Sequence, residues 1–123
     1  MQNLLKQRTK RFALDIIELV EFLPKVLSAK IISYQLVKSA TSVGANYRAV
    51  CRARSDNEFI SKMQIVLEEV DESGYWLELI QEKAWADVTK LLQEANELTA
   101  IFVSSLKTIK NKSNPKPTNK PQI

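Results

Sequence analysis

The chain is expected to fold as an all-α protein, an antiparallel up-down-up-down four-helix bundle. Three observations lead there. Helix breakers are scarce, with two glycines in 123 residues and four prolines confined to Pro24 and the last nine positions. Apolar residues recur at helical spacing along four stretches, and short polar or proline-marked links separate those stretches. At 14.0 kDa the chain is large enough for one core and too small for two. An open helical array would need an internal repeat, and none is visible.

Each helix has its own signature. The first is expected over Leu5–Leu23. Phe12, Ala13, Ile16, Ile17, Leu19, Val20 and Leu23 share one face, with Arg11, Asp15, Glu18 and Glu21 opposite. Pro24 ends it, lacking an N–H and crowding the preceding turn. The second spans Ala29–Ala53 with Ser28 as its expected N-cap. Its stripe is Ile32, Leu36, Val43, Tyr47 and Val50, flanked by Ala40, Gly44 and Cys51. A mid-helix glycine costs about 1 kcal/mol against alanine, so Gly44 with Ala40 reads as a place where another backbone comes close. Ser55-Asp56-Asn57-Glu58 forms a capping box that opens the third helix and folds it back on the second. That helix runs to Glu82 on Phe59, Met63, Val66, Val70, Leu77 and Ile80. The fourth begins near Ala86 or Asp87 and reaches Lys110 on Leu91, Leu92, Ala95, Leu98, Phe102, Leu106 and Ile109. Residues 1–110 therefore form the bundle, and 111–123 are expected to be a disordered, basic, proline-containing tail.

Composition excludes several classes. Buried di-metal centres in bundles draw on Glu-x-x-His pairs, and this chain has no histidine, so neither metal nor cofactor is expected. No nucleophile with a base and no phosphate-cradling glycine loop is present, so the expectation is a non-enzyme. No apolar run reaches the ~18 residues of a membrane span. Lone Cys51, mid-helix among apolar neighbours, reads as a packing residue. With no signal peptide in view, it points to the cytoplasm.

Charge is unevenly spread. Lys6, Arg8, Lys10 and Arg11 precede the first acid, and Lys107, Lys110, Lys112, Lys116 and Lys120 follow the last, around an acidic middle. The outward face of the second helix adds Tyr34, Lys38, Thr41, Arg48 and Arg52. Cations interleaved with an aromatic suit a nucleic-acid backbone. Candidate RNA- or DNA-binding residues are thus Lys38, Arg48, Arg52, Lys6, Arg8, Lys10 and Arg11. The third helix faces outward with Glu68, Asp71, Glu78 and Glu82, so stripes of opposite sign equally suit contacts between copies. Leu14, Phe22, Ile65, Trp76 and Leu79 lie off the core stripes and are candidate oligomer-interface residues. Pairing the second and third helices about Ser55 sets Glu72 level with Lys38 and Ser39, and Glu69 level with Thr41 and Ser42. A structural polar layer of Ser39, Ser42, Asn46, Glu69 and Glu72 is the expectation.

The segments ISYQLVKSATSVGANYRA (32–49), Ser55–Met63 (S-x-x-E-F-I-x-K-M) and EEVDESGYWLELI (68–80) resemble the bacterial 23S rRNA-intervening-sequence proteins. The resemblance covers roughly residues 8–108. It implies an up-down bundle assembled as a homopentameric ring. It also implies a likeness in shape to retroelement accessory proteins, which partner a reverse transcriptase and bind nucleic acid. Ser42, Asn46, Tyr47, Arg48, Glu69, Glu72, Tyr75 and Trp76 match the family's motif, which brings no catalytic residues with it. Ala49 stands where many relatives carry an acid. Two functions remain open: nucleic-acid binding through basic surfaces, or a protein–protein scaffold or accessory subunit whose charges only join protomers.

Overall fold

The computed structural model describes residues 1–113, which form α1 (Gln2–Val20), α2 (Leu27–Cys51), α3 (Asp56–Glu82) and α4 (Thr89–Ser113). The expected tail overlaps the last turn of α4 at residues 111–113, and its remainder, 114–123, lies outside the described residues. Each helix packs on its neighbour in sequence. The links between neighbours are only four to six residues long, so each helix doubles back on the one before it. Lys6 and Arg48 line one groove with Ala13 and Thr41. Ser39 meets Ser73 across α2 and α3, and Arg8 meets Glu94 and Glu97 across α1 and α4. The turn between α1 and α2 therefore lies at the same end of the bundle as the turn between α3 and α4. The start of α1, the α2–α3 turn and the end of α4 gather at the other end.

The expected stripes build the core, except that Ile17 of α1 is exposed. Phe12, Ile16, Leu36, Val43, Met63, Val66, Val70, Leu77, Ile80, Leu98 and Phe102 are all but fully buried. The Tyr47 and Phe102 rings touch across the interior at 5.6 Å. Two stripes extend beyond their expected members. Leu5 and Thr9 continue the buried face of α1 toward its start, and Ser73 fills the step between Val70 and Leu77 in α3. With Ser73 included, α3 buries positions 63, 66, 70, 73, 77 and 80, a regular alternation of three and four.

The helix ends show what the sequence signals do locally. Ser55 Oγ accepts from the Glu58 N–H at 3.0 Å, and Glu58 Oε1 accepts from the Arg54 N–H at 2.7 Å, one residue before the expected Ser55 partner. α1 stops at Val20, and the chain winds on to Leu23 through i→i+3 bonds before Pro24. α2 starts at Leu27, ahead of the expected Ser28 cap. Val26 is its N-cap and offers no side-chain bond. α3 closes in a Schellman motif: the Trp85 N–H reaches the Ile80 carbonyl, the Ala84 N–H reaches that of Gln81, and Ala84 takes the left-handed φ of 57°. This turn is longer than expected, so α4 begins at Thr89. Asp87 Oδ1 accepts from both the N–H and the hydroxyl of Thr89 there, which holds its carboxyl below the ordinary range.

Candidate functional site

α1 and α2 meet over small residues. A Cβ placed on Gly44 would lie 3.4 Å from Thr9 Oγ1, ordinary contact distance, so the two backbones are already close there. Small residues at such a crossing leave a trough above them. Lys6, Gln7, Thr9, Lys10, Ala13, Thr41, Gly44, Ala45 and Arg48 line a groove of about 460 Å³, and no acid is among them. The floor hydroxyls are occupied. Thr9 Oγ1 donates to the Leu5 carbonyl at 2.8 Å and Thr41 Oγ1 to the Val37 carbonyl at 2.7 Å. Lys6, Lys10 and Arg48 stay exposed on the rim. Arg52, the C-cap just past the end of α2, is also exposed.

The candidate cations thus separate into three places. Lys6, Lys10 and Arg48 line the groove, with Arg52 just past the end of α2. Arg8 turns to the opposite side of α1, where its guanidinium binds Glu94 through both oxygens at 3.0 and 2.6 Å and Glu97 at 3.0 Å. Those bonds hold its pKa above the ordinary arginine value and commit it to the fold. Arg11 lies on that side too, 3.8 Å from Asp15. Lys38 sits at the α2–α3 boundary, where its charge acts on Glu69. Arg8 and Arg11 are therefore removed from the groove, because successive positions on a helix point about 100° apart.

The polar layer also differs from expectation. Ser39 and Ser73 are buried with their hydroxyls 2.8 Å apart, and Ser73 Oγ donates to the Glu69 carbonyl at 2.9 Å. Glu72 is exposed and accepts from Trp76 Nε1 at 3.2 Å. Asn46 donates to the Ser42 carbonyl within α2. The Glu69 carboxyl is half-buried. Burial raises its pKa most, Glu72 and Glu68 raise it further, and Lys38 pulls it down. Ser73, between Val70 and Leu77, falls on the buried stripe of α3, and Glu72, one position and about 100° away, points outward. Burial, with half-buried Cys51 beside it, pushes the Tyr47 hydroxyl well above its usual range.

The candidate interface residues fall on two surfaces. Leu14 on α1 and Phe22 in the turn after it are exposed, Phe22 at 81%. Ile65, Trp76 and Leu79 are half-buried on α3, with Trp76 packed on the core and edge-on to Tyr75 at 5.1 Å. Val26, Leu27, Ile31 and Tyr34 are exposed as well, and Leu27, Ile31 and Tyr34 recur at helical spacing on α2. Of these only Tyr34 was expected on the outward face; the stripe reading passed over the others because they lie off the buried face. Among the described residues no cluster could hold a metal ion, and no helix is long and apolar enough to cross a membrane.

Fold and groove together define a small helical bundle with a basic trough between its first two helices. The chain belongs to the 23S rRNA-intervening sequence protein family, whose sequence profile matches residues 1–104. It is similar to a protein of unknown function from the S23 ribosomal protein family of Bacteroides thetaiotaomicron, known from its crystal structure. The two are 32% identical with a TM-score of 0.76, over 86% of this chain and 97% of that one. No curated protein matches the chain.

Proposed function

We propose that this protein binds nucleic acid without catalysing a reaction, through phosphate contacts at the groove between α1 and α2. The observation that carries this reading is the convergence of Lys6, Lys10 and Arg48 on one trough with no acid in its lining. Lysine and arginine there displace counterions from a polyanion, the main source of sequence-independent affinity. The assignment of its relative to a ribosomal protein family supports an RNA or DNA partner. Self-association, as a ring of five, belongs to the same proposal and would repeat the groove around an axis. The half-buried free thiol of Cys51 accords with work in the cytoplasm.

A second reading rests on exposed Leu27, Ile31 and Tyr34, which recur at helical spacing on α2. Such a patch suits a scaffold or accessory subunit that meets protein partners, a reverse transcriptase among the possible kinds, with no nucleic acid involved. Binding of RNA and DNA at low and high salt, alongside light-scattering mass, separates the two readings. An Arg48→Glu/Arg52→Glu variant that keeps its mass and loses binding supports the first. A variant that falls to monomers, from a parent that binds neither polymer, supports the second.

A further inference from the structure

We infer that the groove grips double-stranded nucleic acid by its backbone phosphates and does not read bases. The inference rests on the nucleic-acid reading above and specifies its ligand. The cations sit on two rigid rails. Lys6 and Lys10 are one turn apart on α1, spanning about 6 Å of helix, and Arg48 lines the same groove from the last turn of α2, with Arg52 just past the helix end as its C-cap. A duplex presents phosphates as a fixed array at about one charge per 1.7 Å of axis, twice the density of a single strand. Fixed cations gain most from a fixed and dense array, whereas a flexible strand must first be ordered.

The groove also lacks what single-strand binding draws upon. Non-specific single-strand sites stack bases on exposed rings, at about 1–3 kcal/mol per base. No ring is among the groove's lining residues. The exposed rings lie elsewhere: Tyr34 is about 21 Å along α2 from Arg48, Phe22 is at the opposite end of the bundle, and Tyr75 is on α3. Tyr47, one residue from Arg48, is turned into the core against Phe102. The floor offers little for a base edge, since the Thr9 and Thr41 hydroxyls already donate to carbonyls of their own helices. The Gln7 amide is the one remaining uncharged polar side chain in the lining.

The test is fluorescence anisotropy on the full chain with an RNA duplex and a DNA duplex of about 20 base pairs and an unstructured single strand of the same length, between about 50 and 200 mM salt. One or both duplexes are expected to bind at least ~10-fold tighter than the single strand, with affinity falling about 100-fold over that salt range if roughly four phosphates are neutralised. Arg48→Ala, with its helicity checked, is expected to lower the log–log salt slope by about one and to weaken all duplex sequences alike. A single strand that binds as tightly as the duplexes overturns the inference and leaves the nucleic-acid reading standing. Discrimination between a duplex and its scrambled sequence overturns the base-blind grip. No binding to any of the three at low salt removes both.

Discussion

The α2–α3 hairpin and the α1–α4 seam hold the same bundle together by different physics. Along the hairpin the contact is long and apolar, from Tyr47 and Met63 near one end to Leu36 and Leu77 toward the other, with one buried polar pair, Ser39 and Ser73. α1 and α4 touch least of the packed pairs. Their seam carries a cleft lined by Arg11, Phe12, Asp15, Glu18, Lys90, Leu91 and Glu94, and it is bridged by Arg8. An apolar contact is insensitive to salt and intolerant of lost volume. A charged clasp at a wetter boundary should behave in the reverse way.

Truncating a leucine on each side should break this symmetry most visibly. Leu36→Ala empties a fully buried site and should cost about 2–5 kcal/mol in urea unfolding. Leu91→Ala, at a half-buried position in the seam, should cost about 1 kcal/mol because much of that side chain remains wet. Equal losses would mean that the seam is packed as tightly as the hairpin. The next effect belongs to the clasp. Arg8→Ala should cost about 1 kcal/mol at low ionic strength, and the difference from the parent should shrink in ~1 M salt. A loss that ignores salt would assign Arg8 a packing role through its aliphatic stem.

The two regions were also unequally legible in the sequence. The hairpin is written in short-range signals: the Ser55 cap and the heptad-like spacing of α3. What was lost there was a single core position. The gap between Val70 and Leu77 already marked position 73 as a core position, but a serine does not register as apolar, and the acids just before it, Glu69 and Glu72, drew the polar layer to themselves. The seam was not legible at all. Glu94 lies 86 residues from Arg8, and nothing local to Arg8 distinguishes it from Lys6 or Lys10. Arginine and lysine on one basic helix look alike until the neighbouring helices assign them to different faces. The start of α4 escaped for a related reason, since Ala84 occupies the left-handed position where glycine is the usual marker.

Within the hairpin, the serine pair should matter less than its burial suggests. Ser39 Oγ lies 3.2 Å from the Leu36 carbonyl, so it has an acceptor when Ser73 is lost, and Ser73 keeps the Glu69 carbonyl when Ser39 is lost. Neither single alanine variant strands a buried donor, which is the expensive outcome. Ser39→Ala and Ser73→Ala should each cost under about 1 kcal/mol, with weak coupling in a double-mutant cycle. Strong coupling would show that the pair itself fixes the register.

The smallest effect lies at the edge of the same hairpin, where Glu69 brings a charged group to an otherwise apolar contact. Its carboxyl takes up a proton more readily in the folded chain than in the unfolded one, because burial, Glu72 and Glu68 together outweigh Lys38. For a carboxyl shifted upward, the folded state binds the extra proton, so stability falls as pH rises from the unfolded value through the folded one. The ionised group is therefore a burden at neutral pH and none in acid. Glu69→Gln should raise the Tm slightly at pH 7, and the gain should fade on titration toward about pH 4. Removing the opposing cation should act the other way: Lys38→Ala should lower the Tm at pH 7 and leave it unchanged in acid, where Glu69 is neutral. A Glu69→Gln variant that instead loses stability at pH 7, by an amount that grows with protein concentration, would mean that the carboxylate finds a cation on another copy. The hairpin's outer edge would then be part of an interface between copies as well as a face of the fold.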